Sequence, residues 1–440
     1  LDPFAPTQDL KLSTSSRRGF DRIIDVLWLV WVASLPLGHL TGAHNTLAVL
    51  VVVATLVRTQ GTGIATAPAL PWLIAFAAFA SLSMTWSMAP SVSAGKLRSD
   101  LLLPLLGYVS AYCWARHGGA RPIFYGLAAG ILLLALFSII ELIPSHLTES
   151  WPGLDPADVT GHRYAHLYPG VGDASADAIL VIAPLLVWRR LVGHFRDAIS
   201  SLLALAAVLV IVVSKNRDSV FLFPFALALF AALWWLRKPE QRRQVPIGAL
   251  SVGTLGVVVA AMVLLELVSQ HRLAEARISV PFGHAAATLL ALDPRPQMWQ
   301  EYLRLGAAHP WLGAGFGRTV PALAYDVIHD PVMIAARANG LEHAHDYLFN
   351  VWLQLGLIGL LLMMASMLAA LRAAAMAFSA DSLRALAGVG ALTLLVTTLL
   401  RNAVDDFLVY SMASAFWIAL GMLFGLMRGP TAQTDASASV

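Results

Sequence analysis

The chain has 440 residues, 58% of them hydrophobic, and a formal charge of +3. Charged residues make up only 12%, about half the share of a soluble protein, which leaves too little charge to cover a surface in water. The weak, scattered positive charge excludes a nucleic-acid-binding stripe, and the single cysteine, Cys113, excludes an intramolecular disulfide or a Cys-rich metal site.

Residues 1–16 are polar and lack a signal-peptide pattern, so they are expected to be a disordered tail or an expression scar. Apolar windows then predict twelve spans near 23–40, 45–57, 69–86, 99–115, 123–143, 176–188, 198–213, 219–236, 245–268, 346–371, 383–400 and 405–427. Such lengths suit helices crossing about 30 Å of hydrocarbon. Runs such as Leu202 to Val213 do not alternate, which argues against an outer-membrane barrel. The expected fold is an all-α polytopic membrane protein of about twelve transmembrane helices.

Most lysines and arginines outside the spans fall on one side, whereas the short connections of the other hold only Lys96, Arg98, Lys215, Arg217 and Arg401. Positive charge favours the cytoplasm, so both termini are expected there. The organisation reads as helices one to nine over 17–268 with an outer loop at 144–175, a large outer loop at 269–345, helices ten to twelve over 346–428 and a cytoplasmic tail at 429–440. Tryptophans near span ends, Trp86 among them, read as interface anchors.

Three segments stand out. Val213-Ser-Lys215-Asn-Arg217-Asp-Ser219 is a short outer turn whose two cations run against the charge bias and call for a partner. Asp293-Pro-Arg295-Pro opposes helix up to the arginine and permits one after it. It leads through Trp299 to His309-Pro310-Trp-Leu-Gly313-Ala-Gly315-Phe-Gly317, where the glycines let the backbone turn or approach a ligand. No strand precedes them, so a dinucleotide fingerprint is a poor fit.

The third segment runs from Glu342-His343-Ala-His345-Asp346 through Asn350 and Gln354 to Gly356 and Gly359. Asp346 is a candidate N-cap, which sets His345 at the positive end of a long helix. Imidazole is the side chain that exchanges a proton near neutral pH. Asn350 and Gln354 make a polar stripe that either works or joins helices. Arg401, Asp405 and Asp406 read as a structural ion pair. No cluster suggests a metal, and no cofactor is expected.

His345, Phe349, Gln354, Gly356 and Gly359 resemble the signature of the O-antigen ligase and polymerase superfamily, roughly H-N-x-x-L-x-x-x-x-E-x-G-x-x-G. Asp346 stands for the usual Asn and Gln354 for the usual Glu. Arg295, Trp299, Pro310, Gly313, Gly315 and Gly317 match the pattern that precedes the histidine, and Arg217 matches an earlier arginine. Within that superfamily the chain is similar to O-antigen ligases. The resemblance implies a GT-C-like fold in the bacterial inner membrane with a periplasmic site. It also implies metal-independent, inverting transfer of O-antigen from undecaprenyl pyrophosphate to the lipid A–core oligosaccharide. His345 would then be the base, with Arg217 and Arg295 on the pyrophosphate. Lys215, His343, Trp299, Arg318 and Asn350 are candidate substrate-binding residues. The alternatives are an O-antigen polymerase, a protein O-oligosaccharyltransferase and a lipid-linked sugar transporter.

Overall fold

The computed structural model describes residues 19–37, 40–141, 171–188, 196–214, 216–236, 277–324 except 294, 331–338, 343–379 and 382–429, with a few positions between 262 and 274. Nearly all of the expected ninth span and of the 144–175 loop, both tails and Lys215 lie outside the described residues.

All regular elements among the described residues are helices. In chain order they begin with α1 (Gly19–Ser34), α2 (Thr41–Thr59), α3 (Leu70–Leu82) and α4 (Pro90–Lys96). A π-helical stretch (Leu97–Leu102) leads into α5 (Leu103–Arg116), followed by α6 (Ala120–Glu141), α7 (Val171–Trp188), α8 (Arg196–Ser214) and α9 (Arg217–Trp235). Four short helices come next: α10 (Ala285–Ala291), α11 (Arg295–Gly306), α12 (Val320–Ala324) and α13 (Pro331–Ala338). The chain closes with α14 (Tyr347–Met376), α15 (Ser382–Asn402) and α16 (Tyr410–Arg428). Six of these, α2, α6, α9, α14, α15 and α16, are long and apolar enough to cross a membrane, and α3, α7 and α8 are shorter apolar helices. The protein is a polytopic helical membrane protein.

Between helices in lipid the hydrophobic effect is absent, so close backbone packing must hold the bundle. The most extensive pairing is α5 against α16. Gly421 and Gly425, one turn apart on α16, lie against the carbonyls of Tyr108 and Tyr112, where a side chain would collide. The α15 helix packs on α7, α9, α14 and α16, and α14 packs on α3. This brings the starts of α9, α14 and α16 and the end of α15 to one end of the bundle.

The region expected as a large loop is largely helical where it is described. Proline at the second position of α11 suits a first turn that needs no N–H there, and the Arg295 N–H is taken by Asp293 Oδ1 at 3.0 Å. Met298, Tyr302, Met333, Ala344 and Leu353 form a small second core that binds α11 and α13 to the start of α14. The helices α11 and α13 are therefore anchored on the start of α14 by this packing.

Candidate active site

The glycine-rich segment works as a strap across a break in α14. Gly356 has φ 63° and ψ −169° inside that helix, a conformation closed to L side chains. The break frees backbone groups that an apolar helix cannot leave bare. The strap satisfies them: the N–H groups of Ala314 and Gly315 donate to the carbonyls of Leu353 and Gln354 at 3.0 and 2.8 Å, and the Leu357 N–H donates to the Pro310 carbonyl at 2.8 Å. Contact is backbone on backbone, since a Cβ on Gly356 would lie 2.1 Å from the Trp311 carbonyl carbon and one on Gly313 2.4 Å from that of Gln354. On its other edge the strap is held by the end of α3. Ser83 Oγ accepts the Phe316 N–H at 3.1 Å, and the Trp86 indole donates to the Leu312 carbonyl at 3.2 Å. Trp86, read from sequence as an interface anchor, is thus a strap contact.

The two residues that depart from the superfamily pattern each make a hydrogen bond in this structure. Asp346 caps α14 by accepting the Phe349 N–H at 2.8 Å, a task aspartate and asparagine perform alike. Gln354 Oε1 accepts the Gly317 N–H at 2.7 Å, using an oxygen that glutamate also carries.

His345 sits just before this cap with φ 48°, a left-handed backbone that His tolerates better than most residues yet still at a cost of about 1 kcal/mol or more. Its surroundings hold it there. Its N–H donates to His343 Nδ1 at 3.2 Å, and the two imidazoles stack with centres 3.9 Å apart. The indole of Trp299 donates to the carbonyl of buried Ala344 between them. His345 Nδ1 lies 2.7 Å from Asp405 Oδ1, in the turn between α15 and α16. His345 Nε2 is buried and has no hydrogen-bond partner among the described residues.

The charges decide the tautomer. Burial disfavours an ionised Asp405, but the hydrogen bond and charge of His345, then the charge of Arg401 and the Asp406 N–H, outweigh it and hold the carboxyl well below its usual range. An ionised carboxylate only accepts, so the Asp405 contact assigns the proton of a neutral imidazole to Nδ1 and leaves a lone pair on Nε2. His343 is held far below the usual imidazole range, first by burial and then by the charges of His345 and Arg318, so it is a neutral support rather than a proton carrier.

Asp406 behaves oppositely. Burial pushes its carboxyl up to about 6, outweighing the hydrogen bond from Asn350 and the charge of Arg318. A carboxyl raised on folding adds stability that is full below the ordinary value of about 4 and lost as pH rises through the folded one. The melting temperature of the wild type, compared with Asp406→Asn, is expected to fall as pH is raised from about 5 to about 7. A gap between the two that stays constant over that range would remove Asp406 as its titrating group.

The candidates from sequence separate into groups. His343, His345, Trp299 and Arg295 converge, with Arg295 contributing to the field at His343 and pairing with Asp293 at 3.6 Å. Arg318 reaches the Asp406 carbonyl at 3.4 Å. Asn350 is buried and spends its amide on Asp406, so the polar stripe secures the turn that carries Asp405. Of Arg217 only the backbone is described, at the first position of α9, where Asn216 caps the helix by accepting the Ser219 N–H. Next to it, Asp218 meets Arg401 at 3.5 Å. Arg401 thus pairs across to α9, not solely within its own turn as the sequence suggested. Asp405 as partner of His345 had no signal in the sequence beyond its position on the same side as the motif.

His343, His345 and Asp405 also bring three potential metal-ligand atoms within 4.8 Å of one another, a grouping the sequence reading did not foresee. The His345 and Asp405 atoms are 2.7 Å apart, closer than two ligands on a tetrahedral ion bound at about 2.1 Å. As arranged they make a hydrogen bond, not a coordination shell.

Comparison with known proteins covers the segments that build this site. Residues 178–364 match a family model described as O-antigen ligase, a stretch that contains Arg217, Arg295, the strap and His345. The chain is also 26% identical over 300 residues to an O-antigen ligase of Pseudomonas aeruginosa (strain PAO1). That alignment covers 67% of this chain and 63% of the relative, so the chain spans just under two thirds of its length. The matched residues and the ordered motifs make this part of the chain similar to O-antigen ligases.

Proposed function

We propose that the protein transfers O-antigen polysaccharide from undecaprenyl pyrophosphate to a hydroxyl of the lipid A–core oligosaccharide, as a metal-independent, inverting glycosyltransferase of the bacterial inner membrane. The observation that carries this reading is the bare Nε2 of an imidazole fixed through Nδ1 by an ionised carboxylate. That is the arrangement of a general base awaiting a hydroxyl.

The acceptor hydroxyl gives its proton to His345 Nε2 while its oxygen attacks the anomeric carbon of the donor sugar. The bond from that carbon to the pyrophosphate oxygen breaks on the opposite face, and the pyrophosphate leaves with the electron pair. Asp405 stabilises the imidazolium as it forms. Arg295 and Arg217 hold the departing pyrophosphate by charge-assisted, forked hydrogen bonds and take the place of a divalent ion. The start of α14 adds a favourable field for the anion. Trp299 and His343 keep the imidazole in place, and Lys215 adds to the positive surround of the pyrophosphate.

The same reading sets both termini in the cytoplasm and the site at the periplasmic face of a GT-C-like bundle of about twelve helices, with 269–345 as the catalytic periplasmic region. A strain lacking the gene tests it through its lipopolysaccharide and its undecaprenyl-linked glycans. Long chains should build up on the lipid carrier while the core stays bare. Single repeat units on the core would instead mark a polymerase.

A further inference from the structure

Two cations beside Tyr410, Lys96 and Arg318, form no ion pair within 4.0 Å among the described residues. Arg401 is bound to Asp218 and Arg295 to Asp293. Lys96, at the end of α4, has no carboxylate within 4.0 Å among the described residues. Its Nζ lies 3.9 Å from the ring centre of Tyr410 and donates to that residue's hydroxyl. The Arg318 guanidinium lies 5.4 Å from the centre of the same ring. It donates to the Asp406 carbonyl, and its buried Nε has no partner among the described residues.

The three residues come from α4, the strap and the start of α16, and the fold spends effort on joining them. The Lys96 stem packs on Gly317, where a Cβ would sit 3.2 Å from Lys96 Cγ. Tyr410 is held at φ 49° with its N–H on Asp100 Oδ1, and the residue is 43% exposed. The nearby acids, Asp100 and Asp406, are buried, and their carboxylates are engaged by Ser99, the Tyr410 N–H and Asn350. What reaches the surface is an ammonium, a guanidinium and a phenol around one place. A phosphoryl group accepts hydrogen bonds from all three at once.

The other flank of the Asp405–Asp406 turn differs. There a groove of about 520 Å³ runs between α9 and α15, lined by Phe221, Leu222, Pro224, Phe225, Leu400 and Val404, with Asp218 at its head. Its hydrocarbon lining beside Arg217 suits the donor's isoprenoid tail, which leaves the Lys96 flank for the second substrate. We infer that Lys96, Arg318 and Tyr410 bind a phosphate of the acceptor glycolipid, separately from the donor pyrophosphate. This rests on the function proposed above.

The test is binding of lipid A–core to the full chain in phosphatidylcholine nanodiscs, before and after removal of its phosphates with aqueous hydrofluoric acid. The wild type is expected to bind the dephosphorylated form about 10-fold or more weakly, as loss of charge-assisted hydrogen bonds requires. Lys96→Gln and Arg318→Gln should bind both forms at that weaker level while keeping wild-type affinity for the undecaprenyl pyrophosphate-linked glycan. Lys96→Gln decides the matter by itself if Arg318→Gln does not insert. Wild-type binding indifferent to phosphate removal, or variants that lose the donor instead, would overturn the inference. Phosphatidylglycerol in the discs separates the sources: displacement of lipid A–core by it, abolished in the variants, would assign the site to any lipid phosphate and overturn the acceptor assignment. Binding needs no turnover, so absence of transfer by the wild type would count against the proposed function and leave the binding result intact.

Discussion

Replacing His345 with alanine is expected to lower glycan transfer by about 10²-fold or more, the usual contribution of a positioned base, while the protein inserts and purifies normally. The imidazole makes its contacts with Asp405 and His343, in the turns that flank the helices, rather than in the helix packing. Asp405→Asn should lose a comparable factor, because an amide neither fixes the tautomer nor stabilises an imidazolium. In both variants kcat should fall with the KM of either substrate nearly unchanged, since the lost interactions belong to the transition state. Fluorescence-detected size exclusion checks insertion alongside the assay. Near-normal transfer by well-inserted His345→Ala would require another base.

Gly356→Ala is expected to be strongly damaging to both stability and activity. The added methyl meets two obstacles, a left-handed backbone and the Trp311 carbonyl, which lies 2.1 Å from the Cβ position. Backbone strain of this kind costs about 1–3 kcal/mol, and moving the strap aside would break its hydrogen bonds to α14 as well. A total near 3 kcal/mol or more is in the range of strongly destabilising mutations. The expected outcome is a melting temperature lower by several degrees together with loss of activity, because the strap carries Arg318 and braces the helix behind His345. Thermal unfolding in detergent, compared with Gly283→Ala at an exposed glycine with open space around it, isolates the effect of the docking. Equal melting temperatures for the two variants would remove the strap's structural role.

The membrane class, the places of most helices and the cap at Asp346 were legible in the sequence because each depends on local signals: apolar length, charge breaks and one acceptor side chain at a helix start. Arg295 opening a helix was legible for the same reason, from the prolines on either side. The partner of His345 was not. Asp405 reaches it only after α14 and α15 have run out and back, and periodicity reports which face a residue lies on without naming what it meets. The glycines of the strap showed that the backbone turns or approaches something, but not that the something is a second glycine break in α14. The 269–345 region looked like a loop because its helices are short and capped by proline and glycine, so no apolar period persists long enough to show. Asn350 and Gln354 were visible as a polar stripe, and the structure turns that stripe inward as struts for the Asp405 turn and the strap.

The most direct test of the account is transfer by the full chain in proteoliposomes given undecaprenyl pyrophosphate-linked O-antigen and two competing acceptors, lipid A–core and a second lipid-linked repeat. The account predicts glycan on lipid A–core, joined with inverted anomeric configuration. Extension of the lipid-linked repeat with the core left bare would contradict it and reassign the same histidine and arginines to polymerisation.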